Sequence, residues 1–296
     1  MVLDDFKQIL RLSLNPPTIF FPFPLVQFFI LSLINQASFE IVIKLIVISF
    51  SFSAGVNLWN HVNDTKEDSF SGRENIFVKS RDLRLLGIFL GIFLYSFSLI
   101  LTFLWAEDSK AIGFFLIVAV LTWLYSDKMI FGRFLRRLKE HYSTELATYS
   151  ISWPFFVIAL WGLVSKIVID TYLVSLIFLF FGLWNVFLKD LKDIRGDSLA
   201  GLQTLAVRFK PEILYTLSAI FLVLYYSSIA AFSLFGLFPI YYIFVSFFVV
   251  VQIYTIIKLV RNDWDFGLVI NYLKLIPVLN ISSIILMTFL GFLKLQ

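Results

Sequence analysis

The sequence predicts an all-α, polytopic membrane protein, on three observations. First, 59% of its 296 residues are hydrophobic, only 15% are charged, and the mean hydropathy is +0.89; soluble domains are about 45–50% apolar and about 25% charged. Second, the apolar residues fall into runs close to the ~20 residues that a helix needs to cross ~30 Å of hydrocarbon. Within that hydrocarbon a lone segment satisfies its backbone only as a helix. Third, 19 of the 24 Lys and Arg sit in alternate connections. A soluble globular enzyme, a disordered chain and a disulfide scaffold are excluded. With no cysteine and only His61 and His141, thiolate sites and histidine-rich metal centres are excluded too.

Nine spans are expected in order: 17–35, 39–60, 82–105, 110–126, 145–164, 167–188, 213–232, 234–258 and 267–293. The segment before them carries Asp4, Asp5, Lys7 and Arg11 and lacks the apolar stretch of a signal peptide. The last span contains Lys274 and Pro277, and a proline inside a helix predicts a bend. Cations collect before span 1 and after spans 2, 4, 6 and 8, which by the positive-inside rule puts the N-terminus and these loops in the cytoplasm and the C-terminus outside. The other connections are short, and no Pro/Gly/Ser-rich linker interrupts the chain. A single membrane domain, 1–296, in the cell membrane is expected. The bilayer is the surface that its basic loops meet, and no nucleic acid is expected as a partner.

Two acidic clusters occupy matched places. After span 2, Asn60, Asp64 and Asp68 are spaced i, i+4, i+8, one face of a continued helix. After span 6, Asp190, Asp193 and Asp197 are spaced i, i+3, i+7. The clusters lie four spans apart, which suggests a weak repeat of two four-helix halves that would set them opposite each other. Carboxylates and an amide without His or Cys make a hard-oxygen site, suited to Mg²⁺ with substrate phosphates completing its shell. In a chain this apolar, the matching substrate is a lipid with a diphosphate head. For any one of the six residues the alternative is an interfacial charge at a helix end. After span 4 a basic loop carries Lys128, Arg133, Arg136, Arg137 and Lys139, suited to phosphate oxygens; its alternative is the ordinary basic character of cytoplasmic loops. The rival class is an ion-coupled transporter that uses the carboxylates as a relay.

With those residues set out, the chain resembles the UbiA superfamily of intramembrane prenyltransferases over nearly its whole length. Asn60, Asp64 and Asp68 match the family's N-x-x-x-D-x-x-x-D. Asp190-Leu-Lys-Asp193-Ile-Arg-Gly196-Asp197, with Gly201-Leu-Gln-Thr204-Leu205-Ala-Val207, is similar to its D-x-x-D-x-x-G-D and G-x-x-T-L-P-V. The sequence departs where His61 follows the motif Asn, where Ser71-Gly72-Arg73 stands for an R-P-x-R-P-like segment, where Tyr125 and Lys128 are one residue closer than Y-x-x-x-K, and where Ala206 replaces Pro.

The resemblance implies a UbiA-like helical bundle with a cytoplasm-facing active site. It implies Mg²⁺-dependent transfer of an isoprenyl chain from a prenyl diphosphate, such as geranylgeranyl diphosphate, to an aromatic quinone precursor or a glyceryl-phosphate lipid, with diphosphate released. Two Mg²⁺ ions would be held by Asn60, Asp64, Asp68, Asp190, Asp193 and Asp197, which are thereby the catalytic residues. Arg73, Lys128, Arg133 and Lys139 are expected on the diphosphate. Asn57 and Tyr125 are expected at the substrate pocket, with Ser126 and Asp127 nearby. His61 is a candidate base or an ordinary interfacial residue. Asn271 and Lys274 are polar groups in a membrane span, and Lys274 alternatively snorkels to the interface.

Overall fold

The computed structural model describes residues 2–14, 23–34, 38–70, 72, 75–189 and 194–293. All of its named elements are helical. They are α1 (Val2–Ser13), α2 (Phe23–Ile34), α3 (Phe39–Asn63), α4 (Thr65–Phe70), α5 (Ile76–Lys79), α6 (Arg81–Trp105), α7 (Lys110–Ser126), α8 (Tyr142–Gly162), α9 (Ile169–Lys189), α10 (Ile194–Leu199), α11 (Leu205–Arg208), α12 (Pro211–Leu234), α13 (Val249–Arg261) and α14 (Ile270–Leu293). A 3₁₀ segment, Ile240–Phe248, leads into α13. One isolated bridge pairs His141 with Gln203.

Local chemistry sets several of these boundaries. Ser38 and Ser80 cap α3 and α6 by accepting from the Ile41 and Leu83 amides, an arrangement that satisfies amides with no partner inside the helix. Pro211 opens α12, where its fixed φ suits the first turn and its missing N–H costs nothing. Pro277 lies within α14, which continues through it.

Packing follows chain order around a closed ring: α2 against α3, then α6, α7, α8, α9, α12, α13 and α14, which returns to α2. Six helical stretches are long and apolar enough to cross a membrane: Phe39–Asn63, Arg81–Trp105, Ile169–Leu188, Pro211–Leu234, Ile240–Arg261 and Phe266–Leu293. Leu25–Ile34 and Lys110–Ser126 are apolar but shorter. Helix α8 opens on Tyr-Ser-Thr-Glu, which dilutes its apolar character. The chain is a multi-pass membrane protein, and every expected span has a member in the ring. The sequence reading passed over α1, which is amphipathic: Phe6, Ile9 and Leu10 share one side of the helix and Asp5, Lys7, Gln8 and Arg11 the other, and Ile9 is buried.

The ring interior is aromatic. Trp59 of α3 stacks on Trp123 of α7 with centroids 3.8 Å apart. Deeper along α3, Phe52 meets Tyr95, Phe115 and Phe156 at 5.5, 4.9 and 5.7 Å. These rings form an apolar bed beneath the end of the bundle where α3, α7 and α8 meet.

Candidate functional site

At that end α3 stops at Asn63, and Asp64 is its C-cap with φ −92° and ψ 16°. The chain restarts as α4 at Thr65. Because of this break, Asn60, Asp64 and Asp68 do not run down one uninterrupted helix, and their side chains take different partners. The Asp68 carboxylate accepts from Asn75 Nδ2 at 2.7 Å and lies 3.5 Å from His61 Nδ1. Asn75 also donates to the His61 carbonyl and caps α5 through the Phe77 amide. Asp64 turns instead to the basic loop, where Arg137 Nη1 is 3.2 Å away and Lys139 Nζ forms a close pair.

The loop after α7 is folded by its own polar groups. Asp127, 1% exposed, accepts from the amides of Met129, Ile130 and Phe131. A Cβ on Gly132 would come within 2.1 Å of the Asp127 carbonyl oxygen, so only glycine lets the turn close that tightly. Asn63 accepts from the Lys128 amide at 2.8 Å and donates to the Trp59 carbonyl. This fixes the loop on the last turn of α3.

Glu67 is the centre of the resulting cluster. Lys128 Nζ reaches both of its carboxylate oxygens, at 2.8 and 2.9 Å, and Arg137 Nη2 donates to it at 2.6 Å. Arg137 is buried, and its Nε donates to Glu140 at 2.7 Å. Three cations (Lys128, Arg137, Lys139) thus face three carboxylates (Asp64, Glu67, Glu140). Burial by itself would raise the Glu67 carboxyl; the hydrogen bond from Lys128 and the charge of Arg137 outweigh it and hold the group at about 2. Burial pulls the Lys128 ammonium below its usual value, the hydrogen bond to Glu67 opposes this, and the charge of Arg137 adds to it.

The second acidic motif approaches from the facing side, because α10, which carries Asp197, packs against α4. Thr204 Oγ1 donates to Asp197 at 3.1 Å. Glu145, 1% exposed at the start of α8, accepts from Tyr125 OH at 3.1 Å and from the Leu205 amide at 3.4 Å. Gln203 donates to the Glu140 carbonyl and accepts from the Tyr142 amide. The basic loop therefore joins both motif regions.

Asp190, Asp193 and Arg73 lie outside the described residues. Asn57 donates to the Ser13 carbonyl at 3.0 Å, tying down the end of α1. Arg133 is exposed and joins none of these pairs. Sequence reasoning passed over Glu67, Glu140 and Glu145, and it treated Arg137 only as one cation of a loop. A signal for Glu67 was available: Asn60, Asp64 and Glu67 are spaced i, i+4, i+7, the truer helical face.

The donor set suits Mg²⁺ in kind. Asn60 Oδ1 is buried with no hydrogen-bond partner among the described residues, and Asp64 and Asp68 add carboxylate oxygens on the same strip of chain. Among the described residues no three acidic or histidine groups converge as a complete metal site. The carboxylate that Asp64 would offer a divalent ion is balanced by Arg137 and Lys139.

Comparison with known proteins bears on the fold and on the sequence. The sequence model of the UbiA prenyltransferase family matches residues 21–267. An uncharacterized protein of Archaeoglobus fulgidus is 34% identical over 218 residues, covering 73% of this chain and 74% of that one. Among solved structures, a digeranylgeranylglyceryl phosphate synthase superposes with a TM-score of 0.72 at 16% identity, covering 96% of this chain and 99% of the other. A UbiA homolog from Archaeoglobus fulgidus, bound to DMAPP and Mg²⁺, superposes with a TM-score of 0.65 at 15% identity, covering 95% and 98%. At those identities the superpositions speak for the fold.

Proposed function

This chain belongs to the UbiA prenyltransferase family, and from that premise we propose that it transfers an isoprenyl chain from a prenyl diphosphate to a lipid or aromatic acceptor at the charged end of its helical ring. The observation that carries this reading is the cluster of Lys128, Arg137 and Lys139 over Asp64 and Glu67, set against α10 of the second motif. Donor cations held in fixed directions suit the many oxygens of a diphosphate. The balanced cluster supplies no net positive charge of its own, so a diphosphate entering it needs divalent ions to accompany it.

Asn60, Asp64 and Asp68, with Asp190, Asp193 and Asp197 of the second motif, are the residues proposed to hold Mg²⁺. Two ions are taken to bind, one for each motif. When bound, Mg²⁺ would neutralise charge growing on the leaving diphosphate. Lys128 and Lys139 orient its oxygens, while Arg73 and Arg133 remain candidates for the same head group, and Asn57 and Tyr125 for the substrate pocket. The aromatic bed of Trp59, Trp123, Tyr95 and Phe52 would face the isoprenyl chain, exclude water and offer ring faces to developing allylic positive charge. All nine ring members are taken to cross the bilayer, with the site and the N-terminus cytoplasmic and the C-terminus outside. The acceptor is taken to be an aromatic quinone precursor or a glyceryl-phosphate lipid, with a prenyl diphosphate such as geranylgeranyl diphosphate as donor. Family membership favours transfer over ion-coupled transport.

The test is diphosphate release from geranylgeranyl diphosphate by purified protein in detergent, with and without Mg²⁺. Acceptors are geranylgeranylglyceryl phosphate, hydroxybenzoate and dihydroxynaphthoate. Release that requires Mg²⁺ and one acceptor is expected. If the donor diphosphate does not bind even with Mg²⁺, the reading fails. In the same assay Lys128→Ala should raise the donor KM about tenfold or more, the usual worth of a charge-assisted contact, and leave kcat nearly unchanged. An unaltered KM would remove Lys128 from the donor site.

A further inference from the structure

We propose that Glu67 is a resident counter-ion that occupies the diphosphate-binding cations until the ligand arrives, and so sets how tightly this protein holds a diphosphate. The proposal rests on the diphosphate reading above. Its basis is the pairing of Lys128. Both Glu67 oxygens are taken by the Lys128 ammonium, at 2.8 and 2.9 Å, and the described contacts give that ammonium no other carboxylate. Arg137 also spends its Nη2 on Glu67, but it keeps Asp64 on Nη1 and Glu140 on Nε. Lys128 is therefore the cation whose availability depends on Glu67.

The chemistry resembles competition between two anions for one cation. A carboxylate a single helical turn from Asp64, with its side chain 11% exposed, sits where a phosphate oxygen would have to sit. An incoming diphosphate must displace it or share Lys128 with it. Asp64, paired with Arg137 and Lys139, is proposed to gain a metal ion in exchange for its cations. Glu67 gains nothing comparable, so its charge opposes the ligand. The cost of losing Glu67 falls on the empty protein, where the buried Arg137 and the partly exposed Lys128 are left closer to uncompensated. The benefit falls on the complex, where phosphate oxygens replace the carboxylate. The same residue thus stabilises the free form and weakens the bound one.

The experiment is calorimetric titration of inorganic diphosphate into full-length protein in detergent, with and without Mg²⁺. The proteins compared are wild type, Glu67→Gln, Glu67→Asp, Glu140→Gln and the double variant Glu67→Gln/Lys128→Met. Without metal, Glu67→Gln is expected to bind diphosphate on the order of tenfold more tightly than wild type, the scale of relieving one like-charge contact. Its unfolding midpoint should be lower without ligand and should rise further than that of wild type when diphosphate is added. Glu67→Asp keeps the charge and the fold but shortens the reach; it should bind about two- to threefold more tightly, in proportion to the weakened pairing. Glu140→Gln leaves Lys128 paired and frees only the Nε of Arg137, so it should tighten binding less than Glu67→Gln does. The double variant should lose the gain, which identifies Lys128 as the cation released. Equal affinity in wild type, Glu67→Gln and Glu67→Asp overturns the role of Glu67 and leaves the diphosphate site standing. Failure of wild type to bind diphosphate even with Mg²⁺ overturns both.

Discussion

Replacing Arg137 with Met should cost the folded protein about 3–5 kcal/mol, because removing one partner from a buried ionic network leaves the others uncompensated. The guanidinium is 2% exposed in its side chain and bridges Asp64, Glu67 and Glu140. It also carries the loop after α7 onto the end of α3, so its loss should scatter the cations as well as the carboxylates. A lowered unfolding midpoint in detergent and loss of turnover are expected together. The acid limit gives a separate readout. The Glu67 carboxyl is held at about 2 from an ordinary 4.5. A depressed carboxyl contributes stability fully above its unfolded value and loses it as pH falls through the folded one. That contribution is therefore present at neutral pH and fades between about 4.5 and 2. Without Arg137 the depression shrinks, and acid unfolding should begin at higher pH. A variant with wild-type midpoint and acid limit would show that the bridge is dispensable.

Asp64→Ala should leave a folded membrane protein and lower turnover by about 10³-fold or more, as when several kcal/mol of charge stabilisation in the transition state is removed. Asp64 sits at the joint between α3 and α4, where its backbone amide still bonds to the Asn60 carbonyl, so the substitution spares the helix end itself. Lys139 and one arm of Arg137 lose a partner, and a modest drop in midpoint follows from that alone. Stabilisation by Mg²⁺ with diphosphate separates the two effects: it should vanish in Asp64→Ala and persist in Lys110→Ala, an exposed cation at the opposite end of α7. Asp64→Asn keeps the hydrogen-bond acceptor and removes the charge, so it should fold like wild type and still fail to turn over. Substantial activity in both Asp64 variants would take Asp64 out of the proposed metal set.

The two outcomes would also divide the cluster by role. A residue that holds the loop affects the midpoint first, whereas a residue that meets the ligand affects turnover while the protein remains folded. Arg137 is placed to do the former and Asp64 the latter, although they touch. Their contributions should not add, since each carries part of the other's charge compensation.

By itself the sequence determined the class of molecule, the order of its helices and the family. These rest on composition, on apolar runs matched to the thickness of a bilayer, and on short motifs such as Asn60-x-x-x-Asp64, each a local property that survives without coordinates. The ends of α6 and α7 were legible because the apolar runs 82–105 and 110–126 nearly coincide with Arg81–Trp105 and Lys110–Ser126. What only the tertiary structure decided is which charges meet. Lys128 and Glu67 are 61 residues apart, and Arg137 and Asp64 are 73 apart. No periodicity reports such pairings, because they follow from the way α3, α7 and α8 close on one end of the ring. Arg133 and Arg137 lie in the same basic stretch and look equivalent as letters. Gly132 and the Asp127 turn leave the first in solvent and bring the second among three carboxylates. The break at Asp64 was equally hidden: a regular i, i+4, i+8 spacing reads as one helix until a C-cap divides it. Where burial denies a charge its water, placement decides whether it is a cost or a contact, and placement is what folding adds to the sequence.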